Sequence, residues 1–123
     1  METDSKKTLI LGASTNPDRY AYRAAAMLTD YGHPIVLVGN KKGEVFGAQI
    51  QKDFPTTRDI DTVTLYLSAP NQADYYDNIV ALQPKRVIFN PGTENPELES
   101  LLTKNHIAFE HACTLVLLSI GAY

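Results

Sequence analysis

A single cysteine, Cys113, stands among 123 residues. One thiol excludes an internal disulfide framework and a cysteine-based zinc cluster, and it fits a reducing compartment. A basic excess is also missing, since the formal net charge is −3. General nucleic-acid binding needs a cationic face to neutralise phosphates, so that class is set aside. Long apolar runs are absent: stretches such as Leu115–Leu118 fall far short of the roughly 20 residues that cross a membrane. The opening segment Met1–Lys7 is polar and carries no visible secretory signal. A cytoplasmic protein that engages neither membrane nor nucleic acid is therefore expected. Internal repeats and low-complexity linkers are lacking too. What remains is ordinary for a globular domain, with 44% hydrophobic and 20% charged residues, which excludes a disordered or fibrous chain. The length suits one domain with a real core. We expect a flexible N-terminus over 1–7 and a single domain over 8–123.

The apolar segments alternate in type. Thr8-Leu9-Ile10-Leu11 is a short aliphatic run that stops at Gly12, as a buried strand would. Ala21, Ala24, Ala25, Leu28 and Tyr31 fall on one helical face, and Gly32 and Pro34 then end the helix. Ile35-Val36-Leu37-Val38 reads as a second strand and Val63-Thr64-Leu65-Tyr66-Leu67 as a third. Ala73, Tyr76 and Val80 recur at helical spacing before a fourth strand, Arg86-Val87-Ile88-Phe89. Leu98, Leu101 and Leu102 mark another helix, Ile107-Ala108-Phe109-Glu110 a fifth strand, and Thr114 to Ile120 a closing helix. This alternation predicts an α/β protein: a Rossmann-like, open, mainly parallel five-stranded sheet with helices on both faces. The stretch from Asn40 to Arg58, with a short candidate strand near Ala48 to Gln51, reads as a long connection over the sheet rim.

Open parallel sheets bind ligands outside the carboxyl ends of their strands. Four turns sit there, and all are small, polar or backbone-exposing: Gly12 to Arg19, Gly39 to Gly43, Ser68 to Asn71 and Asn90 to Thr93. The first leads into a helix, whose free N–H groups and dipole favour an anion. Gly12 allows close approach, and Ser14 and Asn16 add polar groups or, alternatively, cap the helix. The full Gly-x-Gly-x-x-Gly fingerprint is absent. After the second strand an NAD site expects a carboxylate, but this chain has Asn40-Lys41-Lys42. Two ammonium groups favour an extra phosphate, the 2′ group of NADP or the 3′ group of coenzyme A, unless they are only a solvated pair.

The stretches Leu11-Gly12-Ala13-Ser14-Thr15-Asn16-Pro17-Asp18-Arg19 with Tyr22-Arg23, then Asn40-Lys41-Lys42, Phe89-Asn90-Pro91-Gly92-Thr93 and Ala112-Cys113 resemble the small free-standing CoA-binding domain proteins. Those proteins are similar to the N-terminal domain of the succinyl-CoA synthetase alpha subunit. The resemblance implies a Rossmann-type fold that holds coenzyme A or an acyl-CoA. It implies that the Ala13–Arg19 turn, with Thr15 and Arg19, meets the nucleotide phosphates. Lys41 or Lys42, beside Asn40, would pair with the ribose-linked phosphate. Ser68-Ala69 and Asn90-Pro91-Gly92 would line the path of the pantetheine arm. The chain has Asn40-Lys41-Lys42 where the family often has Asn-Pro-Lys, and Cys113-Thr114 where it has Cys-Pro. None of the three histidines matches the synthetase's phosphorylated histidine.

Catalytic chemistry is hard to find. His33 reads as a solvent-side turn residue, and His106 and His111 flank the fifth strand on opposite faces, so no metal site is expected. Glu97 and Glu99 favour the start of a helix. Asp74 and Asp77 face water, and no carboxylate pair is placed for acid–base work. Arg23 faces either the ligand rim or a carboxylate. Cys113 is a buried structural thiol by default, or a partner for a coenzyme thiol in a mixed disulfide. The sequence therefore points to a non-enzymatic carrier or sensor of coenzyme A. Two alternatives stay open. One is an NADP-binding module or small oxidoreductase, although no Tyr-x-x-x-Lys pair is present. The other is an interaction subunit with a vestigial site, whose apolar tail Leu115 to Ile120 either covers the sheet or buries against a second copy or an enzyme partner.

Overall fold

Short aliphatic runs punctuated by Gly and Pro leave the chain little choice but strands buried on both faces. The computed structural model describes residues 5–123 and realises them as one seven-stranded sheet. Its strands are β1 (Thr8–Leu11), β2 (Ile35–Val38), β3 (Glu44–Val45), β4 (Ala48–Gln51), β5 (Thr62–Leu65), β6 (Arg86–Phe89) and β7 (Ala108–His111). Their order is β3-β4-β2-β1-β5-β6-β7, and every pairing except β3 with β4 is parallel. Helices α1 (Tyr20–Asp30), α2 (Ala69–Gln72), α3 (Tyr76–Leu82), α4 (Pro96–Lys104) and α5 (Thr114–Ser119) make the crossovers and the close.

Alternation along β1 divides the core. Leu9 and Leu11 join Ile79, Leu82, Leu98 and Leu102 of α3 and α4 on one face. Ile10 joins Ala21, Ala24, Ala25 and Leu28 of α1 and Leu118 of α5 on the other. Helices thus cover both faces of the sheet, as a parallel sheet requires.

Several details differ from the sequence reading. The sheet gains two strands from the region read as a rim connection. There β3 and β4 form a hairpin over the turn Phe46-Gly47, whose φ angles of 49° and 84° are both positive, as a two-residue primed turn needs. β4 coincides with the candidate strand near Ala48 to Gln51, whereas β3 has only Val45 well buried, too little to mark a strand in advance. Tyr31 is 53% exposed, because it lies beyond the last turn of α1 and not on its buried stripe. The helix after β5 is broken into α2, a 3₁₀ turn (Ala73–Tyr75) and α3, which puts Gln72, Ile79 and Leu82 inside in place of Ala73, Tyr76 and Val80.

His33 is half-buried, which corrects its solvent-side reading. Its Nδ1 accepts from the Lys6 N–H at 2.9 Å, and its ring packs on Tyr123 at 5.0 Å. Residues 1–4 of the expected flexible terminus lie outside the described residues. The Lys7 carbonyl accepts from the Asp61 and Thr62 N–H groups, so the chain is already anchored there. Burial, with help from Lys6 and Arg86, holds the His33 pKa below its ordinary value. The folded state therefore favours neutral imidazole, and the unfolded chain takes up the proton first as pH falls. The stability contributed by this contact is expected in full above about pH 6.5, the ordinary histidine value. It should decline as pH drops below that. Thermal melts of wild type and His33→Asn between pH 8 and 5 check this, the variant showing the shallower slope.

Gln83 ends α3 at φ 49° and ψ 53°, a left-handed position before Pro84. Glycine carries no Cβ penalty there, so Gln83→Gly is expected to add about 0.5 kcal/mol, net of its lost side-chain bond to Val80. An upward shift of the urea midpoint at constant slope is the readout.

Candidate functional site

The chain runs from β1 out to β2 and β4, then returns across β1 to β5. This reversal opens a crevice at the carboxyl ends of β1 and β5, the place where open sheets receive ligands. A cleft of about 710 Å³ lies there. The turn after β1 lines it with Gly12, Ala13, Ser14, Thr15, Asn16, Asp18 and Arg19. The turn after β2 contributes Gly39, Asn40 and Lys41. Tyr66, Leu67 and Ser68 follow from β5, and Pro91, Gly92 and Thr93 from β6.

The first turn is tied internally and left open outward. Gly12 and Ala13 both donate their N–H to the Val38 carbonyl, which sets the turn on top of β2. Gly12 has φ +100°, and a Cβ there would come within 3.1 Å of Leu67, so glycine is required. Ser14 Oγ accepts from Asn16 N at 3.0 Å, and Asn16 Oδ1 accepts from Asp18 N at 2.9 Å. These side chains shape the turn and do not cap α1, whose N-cap is Arg19 without a side-chain bond. Among the described residues, the N–H groups of Ser14, Thr15, Tyr20 and Ala21 donate to no protein acceptor. Unspent donors at a loop and helix start form an anion site.

The second turn closes onto the first. A Cβ at Gly39 would stand 2.7 Å from the Ala13 carbonyl oxygen, and one at Gly43 would collide with the Thr15 methyl group. The lysine-bearing turn and the amide-bearing turn are therefore in contact. Lys41 lines the cleft, while Lys42 is exposed outside its lining.

Three of the sequence-derived site residues sit away from the cleft wall: Lys42, Ala69 and Asn90. Asn90 is 2% exposed and fully engaged. Its Nδ2 donates to Thr64 Oγ1 at 2.7 Å and to the Leu65 carbonyl at 2.8 Å, and its Oδ1 accepts from Thr114 N at 2.9 Å. Its side chain joins β5, β6 and α5 behind the rim and presents nothing to the cleft.

Sequence reasoning missed Gly39, Tyr66, Thr93 and Tyr75. Gly39 and Thr93 belong to turns already singled out and Tyr66 to the end of the segment read as the third strand, so position was the available signal. Tyr75 had none, because the helix break that turns it toward the cleft and stacks it on Phe54 at 5.5 Å is tertiary. The Tyr66 hydroxyl is buried without a hydrogen-bond partner among the described residues, and burial raises its pKa far above the ordinary value.

The remaining candidates lie elsewhere. Arg23 sits over the Tyr20 ring at 5.5 Å, so it neither lines the cleft nor forms an ion pair among the described residues. His111 Nε2 is 2.9 Å from Glu99 Oε2. Cys113 is partly buried at the N-cap of α5 and does not line the cleft. A second hollow of about 400 Å³ lies at the opposite ends of the strands. Its charges are largely matched within itself, as in the 2.6 Å pair of Lys7 with Asp59. No described helix is long and apolar enough to cross a membrane.

A family model described as "CoA binding domain" matches residues 6–119. A crystal structure titled as that of an uncharacterized protein is 52% identical, with TM-score 0.94, covering 98% of this chain and 100% of that one. A Thermus thermophilus structure is 21% identical with TM-score 0.81, covering 97% and 91% of the two chains. A hypothetical protein from Pyrococcus horikoshii OT3 is 24% identical with TM-score 0.81, covering 92% and 81%. The last two share the Rossmann-like fold. No curated protein matches the chain.

Proposed function

Because the chain belongs to the CoA binding domain family, we propose that it binds coenzyme A or a short acyl-CoA in this cleft as a non-catalytic carrier or sensor. One observation carries the reading: the first turn, with its unspent amides, and Lys41 line a single cleft. An anion-accepting turn beside a lysine suits a ligand with phosphates at both the 5′ and 3′ positions of its ribose. The other half of the cleft, from Leu67 and Ser68 to Pro91 and Gly92, suits a slender polar arm laid over backbone. Glycine at 39 and 43 lets the two nucleotide-side turns approach closely enough to share one ligand.

Bound coenzyme A supplies a thiol that carries acyl groups, while the chain's own residues hold and orient it. Val116 of α5 and Ile120 just beyond it stay exposed, 51% and 67% respectively, and suit contact with a second copy or an enzyme partner. Light scattering reads out that association.

Calorimetric titration with coenzyme A and, separately, with NADP tests the ligand. Heat with coenzyme A and none with NADP is expected. NADP binding without coenzyme A binding at millimolar concentration overturns the reading.

A further inference from the structure

The nucleotide half of the cleft is held by backbone contacts, but the arm half is not. The β5–β6 ladder ends at Leu65 opposite Phe89, after which the two strands release their loops. No backbone hydrogen bond joins Leu67–Ser68 to Pro91–Thr93 among the described residues. One side chain spans the gap. Gln72 of α2 is completely buried, and its Nε2 donates to the Leu67 carbonyl at 2.8 Å and to the Thr93 carbonyl at 2.9 Å. Two carbonyl partners demand the amide nitrogen at that position. Gln72 Oε1 in turn accepts from Asn95 Nδ2 at 2.9 Å. Asn95 is fixed as the N-cap of α4, accepting from Glu97 N and Leu98 N, and it also donates to the Tyr76 hydroxyl at 2.8 Å.

We propose that Gln72 is a positioning residue that sets the separation of the Leu67 and Thr93 loops and so the width of the cleft's arm half. Both loops line the cleft, whereas Gln72 does not touch it. A buried amide is costly unless every group is paired, and an apolar side chain would fill the same space more cheaply. Here all three bonds are made, and two end on the walls of the site. The inference rests on the coenzyme A reading, but it concerns only the half that would hold the pantetheine arm. Gln72 makes no hydrogen bond to the Ser14–Arg19 segment or to Lys41, where the nucleotide would be held.

Two variants separate positioning from simple loss of structure. Gln72→Leu removes both donations. Asn95→Asp keeps the helix cap, which aspartate serves equally well, but repels Gln72 Oε1 and turns the amide away from its carbonyls. Each is titrated calorimetrically with coenzyme A and with the armless fragment 3′-phospho-ADP, after circular dichroism establishes folding. Both variants are expected to lose about tenfold in coenzyme A affinity, the worth of one to two such hydrogen bonds. The fragment's affinity should stay within about twofold. Should Gln72→Leu fail to fold, Asn95→Asp decides. Unchanged coenzyme A affinity, an equal loss for both ligands, or unfolding of both variants overturns the proposal. Wild-type protein that gives no heat with coenzyme A overturns the functional reading instead.

Discussion

Reversing one charge, Lys41→Glu, is expected to weaken coenzyme A binding by about 10- to 100-fold while dephospho-coenzyme A changes by less than about threefold. A hydrogen bond to a charged group contributes about 1.5–3 kcal/mol, and each 1.4 kcal/mol is a factor of ten. Lys41 lines the cleft beside the first turn, and the Gly43–Thr15 contact keeps its turn in place. The effect should shrink as salt rises, because the lysine is exposed and screening acts on it. Lys42→Glu should do less, since Lys42 stands outside the lining. Titration of both variants with both ligands is the measurement. Equal weakening of coenzyme A and its dephospho form would mean that neither lysine meets the 3′ phosphate.

Asn90→Ala should act on stability and spare affinity. Removing the side chain leaves the Leu65 carbonyl and the Thr114 N–H buried without their partner. Each orphaned buried group costs about 1–3 kcal/mol, so a total loss of about 3 kcal/mol is expected. For a domain of this size that lowers the melting temperature by about 10 °C. The folded protein at low temperature should still bind coenzyme A within about threefold of wild type, because Asn90 does not line the cleft. An unchanged melting temperature with collapsed affinity would instead make Asn90 a ligand contact. Thermal melts and calorimetry on the same preparation distinguish the two.

Much of the architecture was written in local sequence. Aliphatic runs that end at Gly12 and Gly39 read as buried strands, and Leu98, Leu101 and Leu102 mark a helix with Glu97 and Glu99 at its start. The order of strand and helix then implied a parallel sheet covered on both faces, with its functional turns at one rim. β4 falls on the candidate strand near Ala48 to Gln51, but β3 and the pairing of both with the sheet escaped, because the hairpin buries only two side chains well. Tyr31 escaped because periodicity cannot tell the last buried turn of a helix from the residue beyond it.

The candidate site divides along the same line. That Gly12–Arg19 and Asn40–Lys42 flank a common rim followed from sequence, since residues at strand ends are placed by topology. Whether a residue faces the cleft or braces it from behind was settled only by tertiary packing. Asn90 and Gln72 are both polar and both near the rim, yet each is turned inward, where buried carbonyls and N–H groups must find partners. Such partners come from segments distant in the chain, and no local pattern records them.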